Sequence, residues 1–93
     1  MKYLVDLGIY IVTHAQKRDQ RGLVQNRDPF DLGVEIARKL RFHSIDTESL
    51  LTAIYAAKHF GVDEDLRDSA EQTISSLPIY ETVREILEDS ANI

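Results

Sequence analysis

The chain has no cysteine, so transition-metal chemistry and acid–base chemistry near neutral pH would fall to His14, His43 and His59. None has a second nitrogen or sulfur ligand three or four residues away, the spacing that sets two donors on one helix face, so the pattern argues against a metal centre. Asp63-x-Asp65 opens like a calcium loop, but Arg67 and Asp68 stand where that loop needs an oxygen ligand and a glycine. There is no glycine-rich phosphate loop. Carboxylates are plentiful, yet nothing marks a buried pair whose proton affinities would be driven apart. The residues point away from an enzyme, and no catalytic, metal or cofactor site is expected from them.

What remains is charge geometry. Glu64, Asp68 and Glu71 fall at i, i+4 and i+7, and Glu81, Glu85 and Glu88 repeat that spacing. On a helix each set makes one acidic ridge opposite an apolar stripe. Like charges four residues apart repel by about 0.2–0.5 kcal/mol per pair, a strain that a basic partner would relieve. The plain alternative is a pair of solvated faces that keep a small protein soluble. The wider pattern is asymmetric too. Residues 1–42 hold eight Lys/Arg against five Asp/Glu and residues 43–93 three against eleven, so the formal charge of −5 is carried by the second half. Such a split points to a charged partner or to self-association.

The elements that must carry these ridges are helical. Residues 2–18 place Tyr3, Leu4, Leu7, Tyr10, Ile11 and His14 at helical spacing, with Lys17 and Arg18 in the last turn, where the helix dipole favours cations. Val5, Ile9 and Val12 make this segment apolar on nearly every side, as suits a central helix. The β-branched run from Ile9 to Thr13 keeps a strand open as the minor reading for residues 3–13. Residues 19–27 read as a polar loop. Asp28-Pro29 is a capping carboxylate followed by a proline at the first helical position, and it predicts a helix to about Phe42 with Phe30, Gly33, Ile36, Ala37 and Leu40 inward. Asp46 starts the next helix, with Leu50, Leu51, Ile54 and Ala57 inward, a close approach allowed at Ala53, Ala56 and Ala57, and a stop at Gly61. Asp63 caps a fourth helix with Leu66, Ala70, Ile74 and Leu77 on one face. Pro78 ends that helix and opens a fifth, with Ile79, Val83, Ile86 and Leu87 inward to about Asp89, and the tail from Ser90 is expected to fray. The fold class is therefore all-α, a compact bundle of four to five short helices in one domain spanning residues 1–93.

Lys2 followed by Tyr3 to Val12 has the outline of a signal peptide. However, Asp6 interrupts it, Thr13-His14-Ala15 is a poor cleavage site, and ten residues fall far below the roughly 20 that span a bilayer. The chain reads as mature, soluble and cytoplasmic, without a membrane role. Ala57, Phe60, Gly61 and Val62 have the outline of a helix-turn-helix. Its second helix would carry Asp63, Glu64, Asp65, Asp68 and Glu71 against a single Arg67, so phosphate would be repelled and nucleic acid is not expected. Lys17, Arg18, Arg21 and Arg27, and separately Arg38, Lys39 and Arg41, make at most a weak positive patch without interleaved aromatics.

Around one serine the residues resemble a known family. Leu40, Phe42, His43, Ser44 and Ile45 are similar to the Leu-Gly-x-Asp/His-Ser-Leu motif of acyl and peptidyl carrier proteins. Phe60-Gly61-Val62-Asp63, Leu66-Arg67-Asp68, Glu71, Thr73-Ile74 and Leu77 resemble the stretch that follows the family's modified helix. Val24, Asn26, Phe30 and Asp31-Leu32-Gly33 echo the loop before the motif. Arg41 stands where the family has glycine, the Asp-Leu-Gly echo comes about ten residues early, and Lys58 lies on a helix that in the family is acidic. The resemblance implies phosphopantetheine carried on Ser44.

The leading expectation is a non-catalytic interaction module that binds a basic protein surface through Glu64, Asp68, Glu71, Glu81, Glu85 and Glu88, with Tyr80 adding affinity beside them. An inhibitor, an immunity or antitoxin-like protein, and an adaptor all meet that description. The alternatives are the carrier, a helix-turn-helix-like regulator, and a homodimer that pairs the basic half of one copy with the acidic half of the other.

Overall fold

The computed structural model describes residues 3–18 and 21–89, so the tail from Ser90 lies outside the described residues. Among the described residues five α-helices follow one another: α1 (Leu4–Ala15), α2 (Pro29–Lys39), α3 (Thr47–Phe60), α4 (Glu64–Ser75) and α5 (Tyr80–Asp89). A two-stranded antiparallel ribbon, β1 (Gln16–Arg18) with β2 (Val24–Asn26), sits between α1 and α2, and a 3-10 turn (Arg41–His43) precedes α3. The all-α class stands, and residues 4–15 are helix despite their β-branched run.

Helix α1 is the central element and packs on each of the other four helices. Its Leu7 and Ile11 are fully buried, and they join Ile36 and Leu40 from the second helical segment, Leu50 and Ile54 of α3, Ile74 of α4 and Val83 of α5 in one core. A smaller cluster of Ile9, Ala57 and Ala70 closes α1 against α3 and α4. Val5 and Leu66 depart from the expected pattern and lie exposed. Helix α4 is seated by Ala70 and Ile74, and Leu66, one turn before them, lies beyond the buried stretch.

Local signals set four of the helix boundaries. The Asp28 carboxylate accepts the Phe30 N–H at 2.9 Å, Asp46 accepts the Ser49 N–H at 3.0 Å, and Asp63 accepts the Leu66 N–H at 2.8 Å. Each satisfies a donor that a helix start would otherwise leave unpaired. Gly61 stops α3 at φ 79 and ψ 166, a conformation open in practice only to glycine.

The end of α1 departs from expectation. The helix stops at Ala15, and Lys17 and Arg18 belong to a strand instead of a last helical turn. Gln16, Lys17 and Arg18 pair with Asn26, Gln25 and Val24, and the Arg27 N–H donates to the Ala15 carbonyl at 3.0 Å. The returning chain thus takes over carbonyls that a continuing helix would have used, so part of the expected loop at residues 19–27 is strand.

Two glycines permit close helix approach, and they differ in what surrounds them. A Cβ on Gly8 would lie 2.9 Å from the carbonyl carbon of Ala53, whereas one on Gly33 would meet chiefly the Cδ1 end of Ile54. Backbone cannot yield, but a side-chain terminus can rotate. Overpacking costs about 1–3 kcal/mol, set against a helix-propensity gain of about 1 kcal/mol for glycine to alanine. Gly8→Ala is therefore expected to lower the urea midpoint, while Gly33→Ala leaves it unchanged or raises it. Equal shifts for the two variants would contradict this account of the α1–α3 contact.

Candidate functional site

Glu64, Asp68 and Glu71 on α4 and Glu81, Glu85 and Glu88 on α5 are all exposed, and Tyr80 is half-buried. They are not all unpaired. Arg84 lies 3.5 Å from Glu81 and 3.9 Å from Glu88, Arg67 lies 3.7 Å from Glu64, and His14 reaches across from α1 to Glu71 at 3.3 Å. The expected repulsion along the ridges is thus partly relieved within the chain. Solvent-exposed pairs of this kind contribute only about 0–1 kcal/mol each. Residues 63–89 still hold nine carboxylates against Arg67 and Arg84, so the local field stays negative. Among the described residues no cation lies within ion-pair distance of Asp68 or Glu85.

The two ridges meet at one place. A cleft of about 290 Å³ between α1, α4 and α5 is lined by Glu71, Glu88 and Tyr80, together with Tyr10, His14, Arg27 and Arg84. Glu64, Asp68, Glu81 and Glu85 do not line it. On its floor Tyr10 is only 4% exposed and packs its ring 4.2 Å from that of His14, with Tyr80 beside it in the cleft. Burial first, then the charge of Glu71, push the Tyr10 phenol well above its usual range, while Arg84 pulls the other way. The phenol is therefore a neutral hydrogen-bonding group here. The cleft offers carboxylates at its rim, aromatic rings, and two guanidinium groups beside them.

Arg27 closes the cleft from behind. Its guanidinium donates to the carbonyls of His14 and Leu87, in the last turns of α1 and α5, and burial lowers its proton affinity from the usual range. Those carbonyls are among the four that every helix leaves unpaired at its C-terminus, where the dipole favours a cation. Arg27 is thus a fastener between two helix ends and not part of a surface patch.

No known family model, curated protein or solved structure matches this chain.

Ser44 is exposed, as an attachment serine would be, but it does not start a helix. It closes the 3-10 turn in a left-handed conformation, φ 60 and ψ 32, and α3 begins only at Thr47 because Asp46 takes the capping role. The helix-turn-helix outline is realised as α3, three connecting residues and α4, with both helices packed chiefly on α1. Among the described residues no three metal-ligating side chains converge, and no helix is long and apolar enough to cross a membrane.

Spacing singled out Glu71, Glu88 and Tyr80 but missed Tyr10, Arg27 and Arg84 as their neighbours, and it missed that His14 faces Glu71. The offsets of Arg84, three residues after Glu81 and four before Glu88, were a usable signal for the pairing on α5. The other partners come from distant parts of the chain.

Proposed function

We propose that this chain is a small acidic interaction module that docks a basic protein surface along α4 and α5, without catalysis of its own. The observation that carries the reading is the convergence of Glu71 and Glu88 on one tyrosine-lined cleft, with the rest of both ridges open to water. A complementary positive surface would be steered in by the field of nine carboxylates, while aromatic area at Tyr80 would hold it. Inhibition, escort or neutralisation of the partner are the roles such a module performs.

The test is the triple variant Glu81→Gln, Glu85→Gln, Glu88→Gln, which keeps side-chain size and leaves the core untouched. With the partner captured from the native host, association is followed at low and moderate salt. The expected result is an association rate about tenfold lower, with a flatter salt dependence and unchanged helicity by circular dichroism. An unchanged rate with helicity intact removes these residues from the interface. Dissociation of the free protein with salt in sedimentation would instead identify a second copy as the partner.

A further inference from the structure

At the other end of α4 the charge is reversed. The C-terminal ends of α1 and α3, the end of β2 and the start of α4 border an open cavity of about 540 Å³, and its charged lining is Arg27, Lys58 and Arg67. Among the described residues no carboxylate lines it, in a chain whose net charge is −5. Thr13 and Asn26 add polar groups, and Val12, Ala57 and Val62 give it an apolar wall. Among the described residues only Arg27 borders both this cavity and the acidic cleft.

Helix stability accounts for part of this positive charge but not all of it. Arg27 is engaged by two helix-end carbonyls. Lys58 suits the last turn of α3, yet its ammonium rests 5.3 Å from the Phe30 ring centre and has no carboxylate partner among the described residues. Arg67 stands in the first turn of α4, where a cation works against the helix dipole. Its contact is the 3.7 Å pair with Glu64, whose side chain is 81% exposed. Both contacts are made at exposed side chains and are weak, so the two cations can exchange them for a ligand at the mouth of a half-apolar cavity.

We infer that this cavity binds a small organic anion with a compact apolar body, its anionic group between Lys58 and Arg67 and its body against Val12, Ala57 and Val62. The volume suits a ligand of ring or short-acyl size, and the mixed lining matches the general make-up of small-molecule sites, an apolar wall with a few convergent polar groups. A charged oxygen held by an ammonium and a guanidinium makes charge-assisted hydrogen bonds, the strong class. The cavity adjoins the acidic face through Arg27 and the Arg67–Glu64 pair, but its test uses a small probe and no protein partner, so either proposal can fail without the other.

Phenyl phosphate is the probe, titrated into the labelled full chain and followed by amide chemical shifts at constant ionic strength. Saturable shifts are expected at Thr13, Asn26, Gly61 and Val62, with inorganic phosphate weaker and phenol ineffective. Lys58→Gln and Arg67→Gln, both on exposed side chains, should each weaken the probe by about tenfold, while Arg38→Gln, outside the cavity, leaves the affinity unchanged. Thermal melts of the three variants confirm that each is folded. No saturable shifts at millimolar probe overturns the inference. So does phenol titrating as well as phenyl phosphate, or Arg38→Gln weakening the probe as much as the cavity variants.

Discussion

Replacing Arg27 with methionine is expected to destabilise the protein by about 2–4 kcal/mol, although the site lies at the edge of the bundle. The substitution keeps an unbranched stem of similar length and removes the guanidinium. That group donates to the last-turn carbonyls of two helices that are neighbours in space but not in sequence, His14 of α1 and Leu87 of α5. Hydrogen bonds from a charged donor contribute about 1.5–3 kcal/mol each, and carbonyls left without a donor in a part-buried place carry a further penalty. Partial access to water at this site lowers the total towards the stated range. For a domain of this size it corresponds to a fall in melting temperature of about 10–25 °C. The check is a urea melt, in which the midpoint should fall while the slope stays near that of the wild type. Arg27→Lys should lie between the two, because a single ammonium lacks the planar fork that reaches both carbonyls. A methionine variant within about 0.5 kcal/mol of wild type, the ordinary range for surface changes, would show that the two helix ends are held by other means.

The same residue marks where sequence reading works in this fold and where it stops. Asp28-Pro29, Asp46, Gly61 and Asp63 each act within three or four residues of themselves, so their types and order suffice to place the helix boundaries, and the structure puts them there. The inward rows Leu50 with Ile54, and Val83 with Ile86 and Leu87, follow from periodicity for the same reason. The end of α1 does not. Lys17 and Arg18 suit a last helical turn, and what ends the helix at Ala15 is the chain returning ten residues later as β2, with the Arg27 N–H on the Ala15 carbonyl. That is a tertiary event with no local signature. Of the candidate site, the exposed ridges were legible as i, i+4, i+7 rows. The cleft that joins them was not, since its walls are drawn from residues 10, 14, 27, 71, 80, 84, 87 and 88, which no window contains. The basic cavity was hidden for a related reason. Lys58 and Arg67 look like unremarkable helix residues until α1 and α3 are seen to end beside the start of α4.

Alkaline pH should unfold the protein more steeply than its tyrosine count alone implies, and Tyr10 should account for the excess. Its ring lies in the core and it lines the cleft beside Tyr80. Burial first, and then the negative charge of Glu71, raise the folded-state proton affinity well above that of an exposed phenol. In the unfolded chain a tyrosine titrates near pH 10. Below that value both states keep the proton, so the contribution is fully present. Above it the unfolded chain ionises while folded Tyr10 stays protonated. Stability is then lost at about 1.4 kcal/mol per pH unit as the pH climbs towards the folded-state value. Tyr10→Phe removes the titrating hydroxyl and keeps the ring in the core, so at pH 8 the two proteins should lie within about 1 kcal/mol of each other. From pH 10 to pH 12 the wild type should lose about 2–3 kcal/mol more than the variant, so the variant becomes the more stable of the two. All other lysines, arginines and tyrosines are common to both proteins and cancel in the difference. Urea midpoints at pH 8, 10, 11 and 12 measure it directly, and parallel curves would mean that the Tyr10 hydroxyl is as free to ionise in the folded protein as in the unfolded chain.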